Sequence, residues 1–123
     1  MRLPAVAAIF ALGLAALPAH ASDEVEHYEA KSSESLGEAL ETLAEFNAKV
    51  EQVMARDTLS VQDMEEVHEY TYTMEDAVAR IASDMEAIAV VLEEVHQASE
   101  GDDPDALRAA AGAYLEKTAP LTE

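Results

Sequence analysis

Apolar residues recur at every third or fourth position through the second half of the chain, and this spacing predicts one long helix. The repeating positions are Met64, Val67, Thr71, Met74, Val78, Ile81, Met85, Ile88, Leu92 and Val95. Only Thr71 in this stripe is not apolar, and no glycine or proline occurs from Val61 to Ser99. Because turns between helices usually contain Gly, Pro or Asn, the pattern favours an unbroken helix over residues 61–99, with the stripe as its buried face.

An upstream helix is predicted to begin at Ser35. Ser35 and Glu38 have the spacing of a capping box, in which the hydroxyl accepts an early backbone N–H and the Glu side chain reaches back. An apolar stripe of about six helical turns follows, and it predicts one buried face. Its positions are Leu36, Ala39, Leu43, Phe46, Val50 and Val53.

The two connections also carry helix signals. In the first, Ser60 is suited to be the N-cap of the long helix, and Asp63 places negative charge in its first turn. In the second, Gly101 is typical of a helix C-terminus, and Asp103 before Pro104 is typical of a new start. A last, alanine-rich helix is therefore predicted to extend to about residue 118. Its apolar face contains Leu107, Ala111, Tyr114 and Leu115.

These elements predict an all-α domain over residues 35–119. With an unbroken central helix, the first and last helices pack along its two halves, as an elongated antiparallel bundle of three helices. The alternative is a four-helix up-down bundle with a turn near Ser83, where Ser83 and Glu86 have capping-box spacing. A bundle as thin as the first one leaves apolar surface exposed, which favours a homodimer or another protein partner.

The N-terminus has the layout of a secretory signal peptide. Residues 1–21 contain Arg2, a short apolar run and the small-residue pattern Ala19-His20-Ala21. The run is short and rich in Ala and Gly for a membrane-spanning helix, which favours a cleaved signal, and the alternative is that the segment is retained as a membrane anchor. Residues 22–34 are polar without a usable period, and we predict that they form a flexible acidic arm. We expect a periplasmic or secreted protein with no stable membrane insertion after signal cleavage.

The composition restricts the chemistry that the protein can perform. The sequence contains 26 acidic residues against 7 basic ones, with a formal net charge of −19, so its surface repels nucleic acid. It contains no cysteine, which excludes disulfides, thiolate metal sites and thiol nucleophiles. It has neither a serine-nucleophile turn nor a glycine-rich phosphate loop. We therefore predict a non-enzymatic protein without a cofactor, acting by protein binding or self-assembly.

One repeated motif suggests an alternative function. The tetrapeptide Glu-Glu-Val-His occurs twice, and it places Glu65 with His68, and Glu93 with His96, on one helix face. Imidazole and carboxylate groups bind transition metals, so these four residues are candidate ligands for Zn, Cu or Fe. The competing interpretation is that the histidines are half-buried and hydrogen-bonded to a neighbouring Glu.

The spacing of the two motifs makes such a metal site depend on the fold. The histidines are 28 positions apart in the sequence. On one straight helix they would be separated by ~42 Å. A turn near Ser83 would bring them together within one chain. Two unbroken helices that pair antiparallel about residue 82 would instead bring His68 of one chain towards His96 of the other.

Three stretches of the sequence resemble a known family. They are EHYEAK at 26–31, EEVHEYTYTMEDAV at 65–78 and EEVHQASE at 93–100. Together they resemble a family of small exported proteobacterial helical proteins, a domain of unknown function. The resemblance covers nearly the whole chain after residue 21, and it implies a periplasmic location and a helical structure. It implies no activity and no site residues.

Overall fold

The computed structural model describes residues 28–122, and the regular secondary structure in this range is entirely helical. Helix α1 spans Leu36–Met54, α2 spans Val61–Glu100 and α3 spans Pro104–Thr118. A short 3-10 helix, Ala119–Leu121, follows α3. The all-α prediction is confirmed for this part of the chain. The predicted signal peptide, residues 1–21, and the first part of the predicted arm, residues 22–27, lie outside the described residues.

Helix α2 is continuous through 40 residues, which corresponds to a length of ~60 Å. Ser83 lies inside it and is exposed to solvent. The alternative of a turn near Ser83, and with it the four-helix up-down bundle, is therefore wrong. The physical reason is that a serine costs only about 0.5 kcal/mol relative to alanine in a helix interior, which is less than the loss of the backbone hydrogen bonds of a whole turn.

Side chains cap the N-termini of α1 and α2 as predicted. Ser60 Oγ accepts from the backbone N–H of Asp63 at 3.1 Å, and the Asp63 carboxylate accepts from the N–H of Ser60 at 2.6 Å. These two bonds complete a capping box at α2. At α1, Ser35 Oγ accepts from the N–H of Glu38, but the Glu38 carboxylate accepts from the N–H of Glu34 and not from that of Ser35.

We expect Ser60→Ala to lower the free energy of unfolding by about 1 kcal/mol, because α2 then loses its side-chain cap. The matched control is Ser83→Ala, which changes an exposed serine in the interior of the same helix. We expect no loss there, since alanine is the better helix former. Urea unfolding followed by circular dichroism measures both variants. Equal stability of the two would show that the capping box does not stabilise the start of α2.

Helix α1 packs on the first half of α2 along a line of small residues. The line consists of Ala39, Thr42, Thr73 and Ala77, each at most 2% exposed. Phe46 packs edge to face on Tyr70, with ring centroids 5.6 Å apart. Arg56, just after α1, forms an ion pair with Asp63 at the start of α2. The predicted core positions of α1 are confirmed at Leu36, Ala39, Phe46 and Val53, which are buried.

Helix α3 packs on α2 and is less well covered than α1. It contains no buried residue, and Leu115 of its predicted apolar face is 64% exposed. On α2, Ile88 and Val91 are buried in the half that follows the contact with α1. The 3-10 helix after α3 reaches the start of α1, where Pro120 lies 3.9 Å from the position of a Cβ added to Gly37.

Candidate interaction surface

The buried face of α2 differs from the one that the sequence predicts. Its buried residues are Thr73, Ala77, Ile88 and Val91. Four members of the predicted stripe are instead between 44% and 59% exposed, namely Met64, Val78, Met85 and Leu92. The prediction of a buried stripe is wrong for these positions, because α1 and α3 cover one side of α2 and the stripe lies beside that side for much of its length.

The exposed and half-buried part of the stripe, together with Ala82 and the neighbouring flank of α1, forms a surface that we call the apolar face. On α2 it contains Val67, Met74, Val78, Ala82, Met85 and Leu92. On α1 it contains Leu40, Leu43, Val50 and Met54. At about 100° of rotation per residue, each set falls within an arc of about 80° on its helix. The two arcs point to the same side of the molecule, since Leu43 lines one groove together with Met74 and Val78.

That groove is shallow and has a volume of about 430 Å³. Its lining is Leu43, Thr71, Met74, Glu75, Val78, Ala79 and Ala82. Glu75 is the one charged residue in this lining. Ala79 and Ala82 lie outside the predicted stripe. The sequence pattern indicates their place in the groove only weakly, because alanine contributes little to a hydrophobic pattern. Burial of apolar surface is favourable by about 25 cal/mol per Å², so covering this groove would lower the free energy.

The side of α2 opposite the apolar face is polar and acidic. At about 100° per residue it carries a row of carboxylates. They belong to Glu65, Glu69, Asp76 and Glu94, all exposed. The segment before α1 contacts α2 away from the apolar face: Tyr28 stacks on Tyr72 at 6.3 Å, and Thr73 Oγ1 accepts from the backbone N–H of Lys31 at 3.1 Å. This contact leaves the apolar face uncovered.

Most basic side chains are paired with carboxylates of the same chain. Five of the six basic residues in the described range form ion pairs, namely Lys31, Lys49, Arg56, Arg80 and Arg108. Hydrogen bonds to Asp63 and Glu66 raise the pKa of Arg56. A hydrogen bond from Lys49 lowers the pKa of Glu45. The outer surface therefore keeps a large excess of negative charge, whereas the apolar face is nearly uncharged.

The predicted metal ligands are all exposed on α2, namely Glu65, His68, Glu93 and His96. His68 Nε2 lies 2.9 Å from the Tyr72 hydroxyl, and His96 Nε2 lies 3.3 Å from a carboxylate oxygen of Glu100. The histidines are thus not half-buried, which corrects that part of the competing interpretation, whereas the expected hydrogen bond to a neighbouring Glu is present at His96. Because α2 is unbroken, the two motifs stay ~42 Å apart within one chain.

The metal prediction therefore depends on a second chain. Within residues 28–122, no group of three or more His, Asp or Glu side chains converges so that it could hold a metal ion. A shared site for Zn, Cu or Fe would have to form between chains, and it stays a prediction. In the same range, no helix is both long enough and apolar enough to cross a membrane.

The comparisons with known proteins give a family but no activity. Residues 1–123 match a family described as "Family of unknown function (DUF6746)". No curated protein and no solved structure matches the chain. The family match agrees with the resemblance to a domain of unknown function that the three quoted stretches indicate. The role of the protein must therefore be argued from the surface described above.

Proposed function

The chain belongs to this family of unknown function, so we infer its role from its own surface. We propose that it is a non-enzymatic helical protein, and that it acts by binding protein through the apolar face. The first partner is a second copy of the same chain. One observation carries the proposal: Val78 and Met85, in the middle of the longest helix, are 51% and 44% exposed. Exposed apolar side chains at the centre of a long helix favour a partner that covers them.

The size of the apolar face supports a stable interface. From Val67 to Leu92 the face extends for ~40 Å along α2. Along α2 the face is about 10 Å wide, and α1 widens it to about 20 Å over the ~21 Å from Leu40 to Met54, which gives an area of roughly 600 Å². A standard protein–protein interface buries about 800 Å² on each partner. Monomeric proteins seldom expose a contiguous apolar patch larger than a few hundred Å².

We further propose an elongated antiparallel bundle, in which α1 and α3 follow one another along α2. The order of contacts supports this arrangement, because Phe46 packs on Tyr70 whereas the later Arg56 pairs with the earlier Asp63. One chain is then two helices thick along its length. Two copies that meet at the apolar face form a cross-section of four helices, in which this face becomes part of a core.

The proposed location is periplasmic or secreted, on the basis of the signal-peptide layout of residues 1–21. The charge agrees with a role in protein binding. A net charge of −19 disfavours contact with nucleic acid and with anionic lipid. The acidic side of the molecule keeps an assembly in solution, and the apolar face provides the contact between chains.

Sedimentation velocity of the purified protein tests this function. We expect a concentration-dependent equilibrium between monomer and dimer. Since each chain carries a net charge of −19, the equilibrium should shift towards dimer as salt is raised from about 0.1 M to about 1 M, because the Debye length falls from about 10 Å to about 3 Å. The mass of the same preparation shows whether residues 1–21 are removed. A monomer at every concentration and salt would overturn the proposed self-association.

A further inference from the structure

We propose that the second copy lies on the apolar face in the opposite direction, and that the pair forms a transition-metal site at each end, from His68 of one chain and His96 of the other. The ion class is Zn²⁺ or a similar ion that binds imidazole. This inference rests on the proposed self-association, and it adds a direction, a register and a ligand.

The apolar face has a symmetric spacing along α2, which supports an antiparallel pair. The middle of this side of α2 is uncharged and is mirrored about a point between residues 81 and 82. Val78 mirrors Met85 within the face, and Leu92 and Met74 mirror Thr71 and Ala89, which lie on the same arc of α2. At the end of the face, Val67 mirrors His96. A two-fold axis at this point therefore places the uncharged positions of one chain against those of the other over ~30 Å. A closed dimer with such an axis uses the same surface on both chains and leaves no apolar face unpaired.

The length of α2 supports the same register. The helix begins at Val61 and ends at Glu100, so its midpoint lies within about one residue, or ~1.5 Å, of the mirror point. Nearly the whole of both long helices then overlaps. Ala82, exposed beside the mirror point, has a side chain small enough for the two helices to approach closely there. The same register places α1 of one chain beside α3 of the other, which covers the poorly buried last helix.

This register brings together the two histidines that one chain keeps apart. His68 becomes level with residue 95 of the partner, so the partner's His96 lies only one residue further along. For ideal helices with axes about 9 Å apart, the Cβ atoms of these two histidines are roughly 5–7 Å apart. That separation allows two imidazoles to bind one ion. At about 100° per residue, the 28 residues between the motifs leave the two histidines about 80° apart around α2, so His96 falls within the arc of the apolar face and His68 lies about 40° outside it.

The local chemistry adds ligands to the two imidazoles. His96 has Glu93 and Glu100 within one turn on either side, and Glu100 already lies 3.3 Å from His96 Nε2. Either carboxylate is placed to complete the coordination of an ion at this point. Glu65 points away from the apolar face at about 100° per residue. The proposed ligand set is therefore His68 with the partner's His96 and one of its two glutamates.

Direction and register can be tested with a single cysteine, because the natural chain contains none. Ala82→Cys places the two thiols next to the two-fold axis, so mild oxidation should link most of the dimer as a disulfide. The control is Met74→Cys on the same face, which should stay unlinked because the antiparallel register places its two copies ~22 Å apart, whereas a parallel pair would link it. If Ala82→Cys fails to cross-link while sedimentation shows a dimer, the antiparallel register is overturned and the proposed self-association stands. If no dimer exists, both are overturned.

Calorimetric titration with Zn²⁺ tests the composite site in variants without cysteine, at moderate salt that suppresses loose counterion binding. The wild-type protein should bind two ions per dimer. His68→Ala and His96→Ala should each abolish both sites, because every site needs one histidine of each kind. An equal mixture of the two variants should recover about a quarter of the wild-type capacity, since half of the dimers are mixed and each of these has one complete site.

The mixture distinguishes a shared site from separate ones. If each histidine bound zinc on its own chain, each variant would keep half of the capacity and mixing would change nothing. That result, or the absence of stoichiometric binding by the wild-type dimer, overturns the proposed metal site. Sedimentation of both histidine variants without zinc should still show a dimer, which separates the loss of the ion from the loss of self-association.

Discussion

Val78→Asp is expected to convert the protein into a monomer that remains helical. Val78 is 51% exposed in the single chain, so a carboxylate there is well solvated in the monomer. In the dimer each chain would lose the burial of the exposed half of a valine, worth about 0.8 kcal/mol. By symmetry the change occurs twice, which amounts to about 1.5 kcal/mol and a dissociation constant raised at least ~10-fold. Desolvation of two carboxylates increases the effect. Sedimentation velocity measures the association, and circular dichroism measures the helix content.

The matched control is Val90→Asp on the same helix. Val90 is 62% exposed and lies about 120° around α2 from Val78, outside the apolar face. Both variants add one negative charge to the chain, so the general repulsion between chains is the same. We expect the dissociation constant of Val90→Asp to stay within about threefold of wild type. If the two variants dissociate equally, charge and not the apolar face controls the association.

The sequence predicts the helices well because their limits depend on local chemistry. The absence of Gly and Pro between Val61 and Ser99 predicts the continuity of α2. Ser60 with Asp63 predicts where it begins, because a capping box uses hydrogen bonds between residues three apart. These features do not depend on what the helix packs against. They are therefore readable before any tertiary contact is known.

The orientation of α2 could not be read in the same way. The contact line between α1 and α2 contains the buried small residues Ala39, Thr42, Thr73 and Ala77. Small residues let helix backbones approach, but each buries little apolar area and so contributes little to a hydrophobic pattern. The more hydrophobic Met and Val positions mark the flank beside this line, where a second chain is proposed to pack. A pattern of apolar residues shows that a face will be covered, but it does not say which partner covers it.

The helical period adds a second reason. A stripe with a strict seven-residue repeat drifts by about 20° per heptad on a straight helix. Over the four heptads between Met64 and Val95 this drift approaches 80°. The stripe is accordingly exposed at Met64, which is 59% accessible, and buried at Ile88, which is 6% accessible. One stripe in the sequence thus contributes to two different surfaces of the folded chain.

The candidate metal ligands show a limit of a different kind. The sequence identifies His68 and His96 as a pair by their repeated context, and the unbroken helix keeps them apart in one chain. Whether they meet depends on the direction in which a second chain packs. No local pattern encodes that direction. It follows from the symmetry of the apolar face, which becomes visible only when the buried and exposed sides of α2 are known.

Phe46→Ala is expected to cause the largest loss of stability of any single truncation in α1. The Phe46 side chain is 4% exposed, packs on Tyr70 at 5.6 Å and has Lys49 Nζ 3.9 Å from its ring centroid. The neighbouring contact line is made of Ala and Thr, which bury little apolar area, so this ring carries much of the contact between α1 and α2. A buried Phe→Ala change typically costs about 3–5 kcal/mol.

That cost is a large fraction of the about 5–15 kcal/mol that usually stabilises a whole domain, so we expect Phe46→Ala to unfold at a much lower urea concentration than the wild-type protein. Phe46→Leu is the control, because it keeps most of the apolar volume and loses the ring contacts with Tyr70 and Lys49. Such contacts are worth about 0.5–1.5 kcal/mol each, so this variant should stay folded with a lower urea midpoint. Urea unfolding at one fixed protein concentration measures both variants, since dissociation of a dimer would otherwise contribute to the midpoint.

If Phe46→Ala lost less free energy of unfolding than Phe46→Leu, the ring would not be the main contact between α1 and α2. The two helices would then be held together chiefly by the small residues of the contact line and by the partner chain.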